Sequence, residues 1–117
     1  MAVSDVAQSL VEKCRAGKFE EAYDALFAKD ARSIEAPGDV ATGLDAMKAK
    51  GEAWNAENEV RSVTINGPFV GGNQFAVYFD LDVTRRASGE QMKFTEVGVY
   101  TVGNDGKITE ERFFYNM

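Results

Sequence analysis

Gln91 to Tyr115 reads QMKFTEVGVYTVGNDGKITEERFFY. At its centre Asn104-Asp105-Gly106 is a hairpin signal, because Asp-Gly tolerates the positive φ angles of a tight turn. On either side the side chains alternate with a period of two. Gln91 to Val102 and Lys107 to Asn116 are therefore read as two strands folded back on each other. The same period runs upstream. Gln74 to Arg85 is a long strand whose apolar face is Phe75, Val77, Phe79, Leu81 and Val83, and Ser88-Gly89 turns it into the next strand. Val60 to Phe69 precedes it across Gly71-Gly72-Asn73. A bulge is expected at Gly67-Pro68, since proline cannot donate to a ladder.

Before Asn58 the period is helical. Ser4 or Asp5 can cap a helix that runs to Ala16, with Val6, Leu10, Val11 and Cys14 near one face. Gly17 ends it by taking a left-handed backbone. Phe19 to about Phe27 is a second helix, closed by Lys29-Asp30. Arg32 to Ala36 reads as a brief strand stopped by Pro37-Gly38. Leu44 to Glu57 is a third helix, with Leu44, Met47, Gly51 and Trp54 on one stripe. Met47 and Trp54 read first as core and second as the wall of a ligand site. Gly51 costs roughly 1 kcal/mol in a helix against alanine, so it suggests close packing on the sheet or on a ligand. Helices followed by an antiparallel meander make an α+β domain, with the helices gathered on one face of the sheet.

The chain has 117 residues, which is one domain, 1–117. Apolar residues at 44% and charged residues at 27% are the composition of a soluble globular protein. No apolar run is long enough to span a membrane. Met1-Ala2-Val3-Ser4-Asp5 does not resemble a secretory leader. Lysine and arginine total 13 against 19 acids, a net charge of −6 that argues against nucleic acid and against anionic membranes as partners. Cys14 is the single cysteine, so an internal disulfide is impossible and a reducing, cytoplasmic setting is expected. Histidine is absent, which removes imidazole catalysis and histidine-ligated metals. No metal and no cofactor is expected. Asp80 and Asp82 share a strand face opposite the apolar alternation, and two carboxylates are too few oxygens for a hard cation. Gly67 to Gly72 lacks the Gly-Lys-Ser/Thr ending and the strand-to-helix setting of a phosphate loop.

The ordered set of landmarks resembles the nuclear transport factor two-like superfamily, and within it the SnoaL-like group. The set comprises Phe19-Glu20-Glu21-Ala22-Tyr23 after Gly17, Ile34-Glu35-Ala36-Pro37, and Gly43-Leu44-Asp45-Ala46-Met47. It is completed by Tyr100 to Ile108 with Glu110-Glu111-Arg112-Phe113-Phe114-Tyr115. The resemblance implies a cone: a strongly curved antiparallel sheet wrapped around three N-terminal helices, with a pocket opening among them. It places Phe94, Glu96, Gly98 and Tyr100 on the pocket face of the fourth strand, and Thr109, Glu111, Phe113 and Tyr115 on that of the last. The known machineries of the superfamily are not matched. A ketosteroid isomerase would carry its three functional groups at Ala36, Leu10 and Gly98, with Glu35 one residue off and facing away. A limonene epoxide hydrolase would carry its own at Phe79, Leu81 and Phe113, and scytalone dehydratase needs histidines. SnoaL-type polyketide cyclases, which need one positioned carboxylate, remain the nearest analogy.

A two-residue turn at Asp105-Gly106 sets Tyr100 across from Glu111 and Glu96 across from Tyr115. A buried carboxylate needs a partner, and a phenol supplies one. Two carboxylates in one apolar pocket raise at least one pKa toward neutrality. Glu111 is the leading candidate acid/base, with Glu96, Tyr100 and Tyr115 beside it. Gly98 would leave an opening next to them. Phe79, Phe94, Phe113, Met47 and Trp54 would form walls for a small apolar, cyclic ligand. Two readings stand: proton-transfer catalysis of the isomerase, cyclase or hydratase type, or a non-catalytic module in which the polar cluster satisfies itself. A pocket of roughly 300 Å³ or more reaching Glu111 favours ligand binding. A homodimer is expected through the outer sheet face, where Tyr78, Val97, Val99 and Phe114 form an apolar patch ringed by Asp80, Asp82 and Arg112.

Overall fold

The computed structural model describes residues 2–115. Three helices, α1 (Val3–Arg15), α2 (Phe19–Leu26) and α3 (Leu44–Glu57), pack on a curved six-stranded sheet. Its strands are β1 (Phe27–Ile34), β2 (Val40–Thr42), β3 (Asn58–Gly71), β4 (Gln74–Arg85), β5 (Gln91–Val102) and β6 (Ile108–Phe114). The order across the sheet is β2-β1-β6-β5-β4-β3. This is the α+β cone expected from the sequence, with α3, β4 and β5 at the expected residues.

The differences have local causes. The helix α1 begins at Val3 with Ala2 as its N-cap and no side-chain cap, so neither Ser4 nor Asp5 serves as one. Gly17 does end it, at φ +74°. The strand read as Arg32 to Ala36 is β1, which starts directly after α2, so Lys29-Asp30 lies within a strand instead of closing a helix. Both residues are exposed, and their polarity imitates a turn. The strand β2 carries no sequence signal, because its three residues, Val40–Thr42, are too few to show a period. The sheet is antiparallel except where β1 pairs parallel with β6, joining the first strand to the last. No short-range signal marks that pairing.

Two register shifts bend β3, at Val60/Ser62 and at Asn66/Phe69, the second being the expected bulge at Gly67-Pro68. A third lies between Thr101 and Val102 opposite β6, where Val102 pairs with Ile108 and Thr101 with Glu110. Thr109 is the extra residue. It is exposed and Ile108 is fully buried, so Thr109 does not lie on the pocket face.

The inward face of β4, Phe75 to Val83 in alternation, meets Val6, Leu10, Val11 and Cys14 of α1 and Ala22 and Leu26 of α2 in one buried cluster. Burying side chains of this size stabilises by about 1.5–3 kcal/mol each. On the outer face Tyr78 and Phe114 are exposed, with Val97 and Val99 half-buried between them. Among the described residues no helix is long and apolar enough to cross a membrane.

Candidate functional site

Between the helices and the inner face of the sheet lies a cavity of about 380 Å³. It is closed by Leu10 and Cys14 of α1, Phe19 and Tyr23 of α2, and Lys50 and Trp54 of α3. Phe19 and Trp54 are exposed and form part of its mouth. The volume exceeds the roughly 300 Å³ at which ligand sites begin, and Glu111 lies on its wall.

Glu96, Tyr100, Glu111 and Tyr115 all line this cavity, as do Phe79, Phe94, Phe113 and Trp54. Met47 does not. It is fully buried in the core, because it points from α3 into the helix–sheet packing. Trp54 is wall and not core. Gly51 meets nothing within 4 Å of its missing Cβ, so it does not serve close packing on the sheet. Gly98 leaves no opening either. A Cβ there would stand 3.0 Å from the Tyr100 ring and 3.2 Å from the Phe113 ring, so the two aromatics fill its place.

The ladder sets Tyr100 opposite Glu111, as expected. The hydrogen bonds are drawn differently. Tyr100 turns its ring flat against Phe75, with centroids 4.9 Å apart. The phenol that donates to Glu111 is that of Tyr23, 3.2 Å from Oε2. Tyr115 donates to Glu35 Oε2 at 3.2 Å, not to Glu96. Glu35 therefore faces the cavity, contrary to the reading that turned it away. Counting by twos from the buried Ala31 and Ser33 puts it inward, and Ala36 outward. Lys50 ties the groups together: its Nζ donates to Glu35 Oε1 at 2.7 Å and to Ser33 Oγ. Ser33, fully buried and paired with Glu111 across β1 and β6, hydrogen-bonds that carboxyl. The result is one connected line: Tyr23, Glu111, Ser33, Lys50, Glu35, Tyr115.

Burial dominates the electrostatics. It pushes Glu111 from its ordinary 4.5 up to about 7, against the lowering effects of Ser33, Lys50 and Tyr23. Glu96 also rises to about 7, first by burial and then by the charges of Glu35 and Glu111, with Lys50 opposing. Burial and the nearby Glu35 carry the Tyr115 phenol up to about 12. Burial, with Glu111 adding, takes the Cys14 thiol to about 12, so it is an inert wall residue and no nucleophile. Both glutamates can thus exchange a proton near neutral pH, the condition for acid/base work in water. No group of three or more acidic or cysteine side chains among the described residues is arranged to hold a metal ion.

Tyr23, Glu35 and Lys50 are the members that sequence reasoning missed. Tyr23 sits on the apolar face of α2, where a phenolic hydroxyl requires a partner. Lys50 lies three residues after Met47 and four before Trp54, a lysine within an apolar stripe. Both were visible as anomalies.

A family profile described as a SnoaL-like domain matches residues 1–115. No curated protein matches the chain. Among solved structures, a candidate SnoaL-like polyketide cyclase from Mesorhizobium loti, also described as a carbohydrate phosphatase, is 40% identical. It has a TM-score of 0.92 over 98% of this chain and 100% of that one. A protein from Catenulispora acidiphila with a ketosteroid isomerase-like fold, in complex with trimethylamine, is 19% identical. Its TM-score is 0.76 over 92% of this chain and 85% of its own. SalBIII, an epoxide hydrolase/cyclase-like enzyme of pyran ring formation in salinomycin, is 21% identical. Its TM-score is 0.78 over 98% and 91% of the two chains. The last two likenesses speak for the fold alone.

Proposed function

The chain belongs to the SnoaL-like domain family, and from that premise we propose that it binds a small apolar, cyclic molecule and moves a proton on it. The reaction is of the isomerase, cyclase or hydratase type, in keeping with the polyketide cyclase description of its Mesorhizobium relative. The observation that carries this reading is Glu111. It is a carboxyl on a cavity wall, only 2% exposed, held by Tyr23 and Ser33, and titrating at about 7. A carboxyl held in one rotamer and poised near neutrality is what proton transfer requires.

In this mechanism the Glu111 carboxylate takes a proton from a carbon beside a substrate carbonyl. The bonding pair moves to the carbonyl oxygen as an enolate. Tyr100 donates a hydrogen bond to that oxygen; among the described residues its phenol is tied to no carboxylate. Return of the proton from Glu111 to the far carbon of a conjugated dienolate completes an isomerisation. Attack of the enolate carbon on a second carbonyl opens that carbonyl's π bond to an alkoxide, which takes the proton from Glu111 and completes a cyclisation. Glu96 is the second candidate acid/base, and the rings of Phe79, Phe94 and Phe113 exclude water from the reacting atoms.

The non-catalytic module is favoured by one observation: the hydrogen bonds of Glu111 are already made within the protein. Deuterium exchange separates the two. Cyclic β-ketoesters and 1,3-diketones are incubated with the protein in D2O, after binding has been established by quenching of Trp54. Protein-dependent deuteration that Glu111→Gln abolishes is expected. Ligands that bind yet exchange no faster than in buffer would leave the module as the function. We also propose that the chain pairs with a second copy through the outer face around Tyr78, Val97, Val99 and Phe114, and that nucleic acid and membranes are not among its partners.

A further inference from the structure

Glu96 differs from the other carboxylates of the cavity in having no partner. Glu35 is bonded to Lys50 and Tyr115, and Glu111 to Tyr23 and Ser33. Glu96 makes no side-chain hydrogen bond and no ion pair among the described residues, and it opens onto the cavity. Its surroundings are aromatic. Phe79 is its cross-strand partner on β4, and residues paired in this way share a face. Phe94 lies two residues before it on the same face of β5, with its ring 5.3 Å from that of Tyr115.

The charge balance is equally one-sided. Among the described residues the cavity walls carry Glu35, Glu96 and Glu111 against a single cation, Lys50. The Lys50 ammonium is already committed to Glu35 at 2.7 Å and to Ser33. A wholly apolar ligand would desolvate Glu96 and leave it without compensation. An anionic ligand would be repelled. A cation would supply the missing partner and lie against ring faces that attract it. The cavity already contains one such contact, with Lys50 Nζ 5.7 Å from the centroid of Phe113.

We propose that the ligand of this cavity carries an ammonium group on its apolar body, with Glu96 as counter-ion and Phe79, Phe94 and Tyr115 as the walls around the cation. The inference rests on the reading of the cavity as a ligand site and adds the chemical class of the ligand. Glu96 is neutral in part near neutral pH, so the cation is held best where Glu96 is ionised, and its binding expels a proton. The groups that share the cavity and set this balance are Glu35, Lys50, Glu111, Tyr23, Tyr100, Tyr115 and Cys14.

The test uses benzyltrimethylammonium, whose charge does not titrate, beside its carbon isostere neopentylbenzene and the neutral hydrogen-bond donor benzyl alcohol. Trp54, the single tryptophan, lines the cavity and reports binding. Above neutral pH the ammonium should bind at least about tenfold tighter than either neutral probe. That advantage should shrink in mild acid and vanish in Glu96→Gln, which keeps the affinity for neopentylbenzene. Calorimetry of the unaltered protein in buffers of different ionisation enthalpy should show protons released on ammonium binding near neutrality, whether or not the variant folds. Equal or tighter binding of a neutral probe, a preserved preference in Glu96→Gln, or binding without proton release would overturn the inference and leave the pocket reading standing. Failure of all three probes to bind would overturn both.

Discussion

Replacing Glu111 by glutamine should change the pH dependence of stability more than stability itself. The carboxyl is 2% exposed, and burial takes it from 4.5 to about 7. Its folded value lies above its unfolded one, so the folded chain holds the extra proton between the two. Its contribution is therefore fully present below about 4.5 and is lost as pH rises toward 7. Each pH unit of the interval is worth about 1.4 kcal/mol, so ionising Glu111 in place costs the fold about 3 kcal/mol well above neutrality. Glutamine has the same shape and no charge. It forfeits about 1 kcal/mol of hydrogen bonding with Tyr23 and Ser33, since its amide group cannot accept at both oxygen positions. Urea unfolding of both proteins, at about pH 5 and about pH 9, measures the difference with all other titrating groups in common. Between those two conditions the variant should gain about 2–3 kcal/mol on the unaltered protein, passing from slightly less stable to more stable. Parallel stabilities, with glutamine worse by the same margin at both values, would refute the claim that Glu111 is a desolvated carboxyl titrating near neutrality.

Other substitutions probe the rest of the site. Lys50→Met removes the cation that lowers both Glu96 and Glu111, so both should titrate above about 7 by carbon NMR of their carboxyl groups; unchanged titration would separate Lys50 from them. Gly98→Ala sets a methyl 3.0 Å from the Tyr100 ring and should cost about 1–3 kcal/mol in urea unfolding, whereas a loss under about 0.5 kcal/mol would mean that the two rings are free to move aside. Light scattering at micromolar concentration should show a dimer that Tyr78→Lys with Val99→Lys dissociates, and a monomer before substitution would remove the outer face as an interface.

The four strands of the meander, the third helix and the inward face of β4 were legible because their signals are local. Period, turn chemistry and the alternation of Phe75 to Val83 are set by residues a few positions apart. The family resemblance implied the inner face that carries Glu96, Tyr100 and Glu111, and all three line the cavity. The implied faces fail at Thr109, which is the extra residue of a bulge, and at Glu35, which alternation from the buried Ser33 turns inward. What the tertiary structure decided is which groups bond. Tyr23 and Glu111 are 88 residues apart, and Tyr115 and Glu35 are 80 apart. Those partnerships depend on how α2 and α3 lie across the sheet and on the parallel seam between β1 and β6. A phenol and a carboxylate on neighbouring strands satisfy the same chemical need as a phenol from a helix, so the sequence could demand a partner for Glu111 without selecting which one. The choice falls to packing: Tyr100 has its ring taken up by Phe75 and by the space above Gly98, and Tyr23 is the hydroxyl left within reach.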